Sequence, residues 1–283
     1  RLQAYGVDRP TSPFSARLAA SGVVFDNHIA QAPWTRPSIG ATLTGRYPRT
    51  LGLDSPHGED VFGMVLDPSH TTLAEVLQGA GYATIGAVGN PNAKAMFGLG
   101  QGFDTYDEPD QTFGAGIRDE MPSGSDLVDS VLAAIRQVPA DQRIFAQVIF
   151  VDTHMPLQYR PRDLLLWPRI WTGFEPFRLD TYDASVRRLD GILARFLAEV
   201  RALRPNSLYV QTADHGEGLR HPTVKHLNSH GRTLYQSVIA VPHLWQHPAL
   251  PPGRVDGTTR NIDVLPSILD VLGITPPAPL DGE

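Results

Sequence analysis

The sequence contains no cysteine, which excludes disulfides, thiolate metal sites and a cysteine nucleophile, and leaves the redox compartment open. It has no basic run, and 24 Lys and Arg against 30 Asp and Glu give a formal net charge of −6. That balance excludes a protein built to coat nucleic-acid phosphates. No apolar stretch approaches the ~18 residues that would span a bilayer; the longest, Ile144–Val151, is strand-sized. No leader segment can be read, since the chain begins at Arg1 rather than Met. What is plentiful is turn-forming residues, 26 Gly and 25 Pro among 283. With 41% hydrophobic and 19% charged residues, this describes a turn-rich globular chain with material for a large core, not a disordered one.

Short β-rich runs alternate with helical patterns, which predicts an α/β fold: a mixed, mostly parallel sheet between helices. Ser12-Pro13 opens a helix that stops at Gly22, and Val23–Phe25 follows as a strand. A short helix with Pro37 at its first position ends near Gly45, with Thr35 just outside it. Leu73, Val76 and Leu77 mark a helix closed by Gly79 and Gly81, and Tyr82–Val88 is the next strand. Leu127, Val131 and Ile135 have helical spacing after a Ser125 cap. Ile144–Val151 is continuously apolar, as expected of a central strand covered on both faces. The longest helix carries Tyr182, Val186, Leu189, Leu193, Phe196 and Val200; Ser207–Thr212 and Ser237–Val241 read as strands, and Ile262–Leu272 as a last helix before Gly273. Asp107–Ser125 and Pro156–Phe177 are the expected long loops.

Ligand crevices of open α/β sheets lie at the carboxyl ends of the strands. Two polar clusters fall there: Asp152-Thr153-His154 after one strand and Asp214-His215-Gly216-Glu217 after another. A carboxylate beside an imidazole suits a metal cation or an anionic substrate, although Asp and Gly also end strands as ordinary turn formers. A third element is Thr35-Arg36-Pro37-Ser38 at a helix start. A helix N-terminus favours negative charge, which suits a hydroxyl nucleophile, and a guanidinium beside it can clamp a tetrahedral oxyanion. By themselves Thr35 and Arg36 would read as a helix cap and a solvated charge. His226 and His230 have the i,i+4 spacing of a helical zinc pair, but His221 and His226 read as loop histidines, and Lys225 has no fixed direction. Asn90 and Asn92 read as turn residues that satisfy backbone.

The string TRPSIGATLTGRYPRTLGL resembles the nucleophile motif of the sulfatase family, within the alkaline phosphatase superfamily: Cys or Ser, then x-Pro-Ser-Arg, then Leu-Thr-Gly-Arg. The resemblance continues in order through GYATIGAVGNP, VDTHMP, TADHGEGL, SHGRTLYQSVIAVP and DVLPSILDVLGITPP, covering nearly the whole chain. It implies an alkaline phosphatase-like three-layer sandwich and a single catalytic domain over residues 1–283. It places Thr35 on the nucleophile, Asp214 and His215 on a metal-ligand pair with Thr35 as a third ligand, and His154 on a substrate-oxyanion histidine. His230 falls on a basic residue at the substrate or leaving group, and Arg36 stands in for the motif arginine that Ile39 replaces.

Thr35 cannot form the oxidised formylglycine of sulfatases, and so resembles instead the nucleophile of phosphoethanolamine and phosphoglycerol transferases. The family also opens with a strand of acidic metal ligands, Asp-x-x-Arg-x-Asp, and ends in a small subdomain; both are expected to be absent between Arg1 and Glu283. The implied activity is metal-dependent hydrolysis of a small anionic sulfuric or phosphoric ester, or else phosphotransfer, phosphodiester cleavage or a non-catalytic anion-binding remnant. The implied cofactor is one divalent cation, calcium first, with manganese or zinc compatible with Asp and His ligands. Oligomeric state and compartment stay open, a periplasmic or extracytoplasmic setting being compatible with the resemblance.

Overall fold

The computed structural model describes residues 1–54, 63–108, 122–166, 174–219 and 230–283. His221, Lys225 and His226 therefore lie outside the described residues. The strands fall into two sheets. In the first, β1 (Val23–Ile29) pairs in parallel with β8 (Gly253–Arg260). On its other side β1 pairs antiparallel with β6 (Ala240–Val241) and β7 (His243–Gln246), and β5 (Tyr209–Thr212) pairs antiparallel with β7. The second sheet is parallel throughout, β2 (Ala83–Val88) lying between β3 (Thr105–Asp107) and β4 (Ile144–Ile149). The mixture is more antiparallel than the sequence predicts, because the polar strand β8 and the four-residue β7 carry little periodic signal.

Helices cover both faces, giving three layers. On one face of β2, Ile85 and Ala87 pack against Leu127, Val131 and Ile135 of α4 (Gly124–Gln137). The opposite layer includes α2 (Thr35–Thr44), α3 (Leu73–Gly79) and α7 (Val264–Leu272). There Leu73 and Leu77 of α3 meet Leu265 and Leu269 of α7, with Phe145 of β4 against them. Beside the first sheet, Leu18 of α1 (Pro13–Ala20) and Leu197 of α5 (Phe174–Leu203) close over Val24 and Leu244.

Local chemistry sets the helix ends. Thr72 and Glu75 form a capping box at α3, and Ser123 and Asp126 form one at α4, two residues before the cap read from Ser125. Gly45 and Gly273 close α2 and α7 with φ of +64° and +67°, the left-handed conformation glycine adopts without penalty. The helix α2 begins at Thr35, so Thr35 lies inside it and Pro37 is its third residue. Any of the first four N–H groups of a helix lacks an intrahelical partner, so proline fits there as well as at the first position.

Two further expectations are corrected. Residues 237–241 are not one strand: α6 (Gln236–Ile239) is a short helical turn that runs into β6. An apolar run of four residues, 238–241, does not distinguish the two states. The run Ile144–Val151 yields β4, which is not central: among the described residues it pairs only with β2, and its side chains are half-buried or exposed. The strand β5 likewise pairs only with β7 and is half-buried along its length. Each sheet thus ends on a strand with one unpaired edge. No helix of the described residues is long and apolar enough to cross a membrane.

Candidate active site

The polar clusters meet at the carboxyl ends of β2, β4 and β5, beside the N-terminus of α2. Trp34, with extended φ and ψ of −157° and 164°, turns the chain into α2 and places Thr35 on its first turn, almost fully buried. Past β5, Asp214 and His215 follow the strand end, and Nε2 of His215 lies 3.4 Å from Oγ1 of Thr35. The same Nε2 is 3.4 Å from Oδ2 of Asp214. Nδ1 of His215 lies 2.8 Å from the Gly216 carbonyl oxygen, which can only accept, so the proton sits on Nδ1 and Nε2 carries a lone pair in the neutral ring. The loop is pinned from below. Gly216 N–H donates to the Val238 carbonyl, and a Cβ on Gly216 would stand 2.3 Å from the Ser237 carbonyl oxygen. Ser38 of α2 donates to the Asp214 carbonyl, and Asn261 donates both to Ser38 and to the Ala213 carbonyl.

His230 is tied to the loop before α2 by the bond from Gly231 N–H to the Pro33 carbonyl, 2.8 Å. Its ring stacks on His215 at 4.3 Å between centroids and meets His154 edge-on at 5.2 Å. Nδ1 of His230 lies 3.0 Å from Oε2 of Glu217, whose other oxygen is buried without a hydrogen-bond partner among the described residues. Nδ1 of His154 lies 2.6 Å from the Met155 carbonyl. Burial, with the neighbouring imidazoles of His230 and His215 acting in the same direction, holds the pKa of His154 below the ordinary histidine value. Asp152 is fully buried against Arg188 of α5. Burial raises its pKa, and it anchors the loop that carries His154.

The structure therefore brings together five of the six expected site residues: Thr35, Asp214, His215, His154 and His230. Arg36 is placed differently. A substrate clamp needs a guanidinium that a ligand can reach, whereas Arg36 is fully buried. Its guanidinium lies 3.3 Å over the centroid of Phe97 and donates to the Met64 carbonyl at 3.1 Å and to Oδ1 of Asn92 at 3.3 Å. Burial lowers its pKa to about 10, still charged at neutral pH. Two residues go beyond their reading from sequence. Glu217 is a hydrogen-bond partner of His230, and Asn90, besides accepting from the Asn92 N–H as a turn residue does, reaches the Thr35 hydroxyl. Glu217 sits inside the polar cluster, so its signal was present; for Asn90 the only signal was its position after a strand.

The donor set suits a cation. A lone pair on His215 Nε2 facing a carboxylate oxygen is repulsive unless a proton or cation lies between, and Thr35 Oγ1 borders the same point. Two side chains and a hydroxyl fit one side of a divalent ion, and among the described residues no group of three or more His, Cys, Asp or Glu completes the shell.

Comparison with known proteins gives the family and the fold. A family model described as Sulfatase matches residues 1–274. The chain is 25% identical to N-acetylgalactosamine-6-sulfatase of Sus scrofa, an alignment that covers 98% of this chain and 60% of that protein. The chain thus spans about 60% of the length of that curated relative. Among solved structures, the phosphonate monoester hydrolase of Agrobacterium radiobacter superposes with a TM-score of 0.76 at 17% identity, over 99% of this chain and 72% of that one. The C-terminal periplasmic domain of EcEptC from Escherichia coli, in complex with zinc, gives 0.73 at 17% identity, over 97% and 78%. The fold is alkaline phosphatase-like.

Proposed function

The chain belongs to the sulfatase family, and on that premise we propose that it carries the catalytic centre of a hydrolase of small anionic sulfuric or phosphoric esters, with Thr35 as the nucleophile. The observation that carries this reading is the Thr35 hydroxyl, buried at the N-terminus of α2 and 3.4 Å from Nε2 of His215. In the first step Oγ1 attacks sulfur or phosphorus. The Oγ1 bond forms as the bond to the ester oxygen breaks, and the electron pair leaves on that oxygen. The hydroxyl proton passes to solvent as the oxygen ionises, and the leaving oxygen takes up a proton from solvent, which closes the balance. Water then attacks the same centre, the bond to Oγ1 breaks, and Thr35 regains its proton. His154 and His230 stabilise charge on the transferring group and the leaving oxygen. The ends of β2, β4 and β5 and the start of α2 hold these groups before substrate arrives, so little reorganisation is needed at the moment of reaction.

Asp214 and His215, with Thr35, would hold a divalent cation, which when bound favours ionisation of the hydroxyl and polarises the ester. We take calcium as that ion, with manganese or zinc compatible with the same donors. Between sulfate and phosphorus esters, threonine favours the second: it forms no formylglycine, and the likeness in fold extends to a phosphonate monoester hydrolase. Release of 4-nitrophenol from its sulfate, its phosphodiester and its phosphonate monoester, each with added calcium, manganese or zinc, tests the reading. The expected result is turnover of at least one ester, lost by several orders of magnitude in Thr35→Ala and partly retained in Thr35→Ser. Near-normal turnover in Thr35→Ala removes the nucleophile. A chain inert to every ester is an anion-binding relative instead.

A further inference from the structure

The amide nitrogen Nδ2 of Asn90 lies 3.0 Å from Oγ1 of Thr35, and both residues are buried. The orientation of that amide is fixed by its other end. Oδ1 accepts from the Asn92 N–H at 2.9 Å, so turning the group over would set an NH2 against an N–H donor and a carbonyl oxygen against the hydroxyl. The loop that carries Asn90 is held in turn. It begins directly after β2 and Gly89, and Pro91 opens its single helical turn. Arg36, next to Thr35 in sequence, donates to Oδ1 of Asn92 from its stacked position over Phe97. Arg36, Asn92, Asn90 and Thr35 thus form one chain of contacts that returns to its start, with the amide N–H aimed at the hydroxyl oxygen.

We infer that Asn90 is a catalytic residue whose side-chain N–H supports the Thr35 oxygen, and that Arg36 is a positioning residue that holds the Asn90–Asn92 turn in place. The inference rests on Thr35 being the nucleophile. A donor on one lone pair of Oγ1 leaves the hydroxyl proton to turn the other way, toward Nε2 of His215 at 3.4 Å. The same N–H then faces the oxygen while it carries negative charge, during attack and again when water displaces it. Donors aimed at a developing oxyanion inside a buried site act more strongly on the transition state than on the ground state. A neutral amide does this without adding a charge that would pair with a carboxylate such as Asp214. The assignment also gives Arg36 a use consistent with its complete burial, which contact with substrate does not.

Steady-state kinetics of the full chain on whichever 4-nitrophenyl ester it turns over, with thermal midpoints measured alongside, separate the roles. Asn90→Asp keeps Oδ1 for the Asn92 N–H but replaces the donor with an acceptor; Asn90→Ala removes both. Both variants are expected to lose kcat by roughly 10²–10³-fold with KM nearly unchanged, as for the loss of one oxyanion donor. Only Asn90→Ala should also lower the thermal midpoint, because only it loses the turn bond. A kcat within about threefold of the parent in Asn90→Asp, or a loss confined to KM, overturns the inference while the Thr35 reading stands. Near-normal turnover in Thr35→Ala, or no turnover of any ester by the parent chain, overturns both together.

Discussion

Glu217 holds Nδ1 of His230 at 3.0 Å, and that bond fixes which ring nitrogen is left to face the crevice. Glu217→Gln keeps the shape but can turn its NH2 toward Nδ1, which selects the other tautomer. We predict a loss of turnover of about tenfold in Glu217→Gln and roughly 10²–10³-fold in His230→Ala, with KM moving less than kcat. An effect on KM alone would assign the pair to ground-state binding. At this scale the sequence was most legible where a motif fixes both residue type and order, as for Thr35, His154, Asp214, His215 and His230. It was least legible where the role depends on a side chain's direction. Arg36 reads as an oxyanion clamp from its place beside Thr35, yet it points into the core, over Phe97. Asn90 reads as a turn residue because its second bond crosses 55 positions of sequence.

Among the elements, β1 and β7 share a buried feature that lies behind the site, on the far side of Asn261. Their residues His28 and His243 stack at 4.0 Å with planes 11° apart, both buried. His28 is wedged between Thr259 and Asn261, and His243 receives a bond from the Trp245 indole. Burial lowers the pKa of His28 to about 4 and that of His243 well below the ordinary value. In the unfolded chain both titrate near about 6.5. Between that value and pH 4 the unfolded state binds protons that the native pair refuses, so stability is full above it and falls as the pH is lowered. The slope is about 1.4 kcal/mol per pH unit for each imidazole. Urea midpoints at pH 7 and pH 5 check this: the drop should be smaller in His28→Asn than in the parent, and an equal drop would contradict it. Helix stops were readable because glycine acts locally, at Gly45 and Gly273, whereas the cap of α4 lies at Ser123, two residues before the Ser125 that the sequence suggests. Strands β7 and β8 were not, being short or polar and defined by partners far along the chain.

For the whole molecule, the consequential features are the edges of β4 and β5, which are unpaired among the described residues. Open edges of apolar strands recruit further strands, and the half-buried run of β4 offers such an edge. We expect concentration-dependent association of this chain in sedimentation velocity, reduced by Ala146→Lys on the exposed position of β4. A monomer at all concentrations would mean that the edges are covered in some other way. The three-layer architecture itself was legible from alternation of strand and helix, whereas the division into two sheets was not, since a buried run looks the same at a centre and at an edge. The central claim remains the covalent role of Thr35, and the most direct measurement is a mass. The chain is mixed with a 4-nitrophenyl sulfate or phosphonate ester, quenched in acid during turnover, digested and sequenced by mass spectrometry. The account predicts the transferred group on the peptide bearing Thr35 and its absence in Thr35→Ala. Release of 4-nitrophenol with Thr35 unmodified, or an adduct at any other residue, would contradict it.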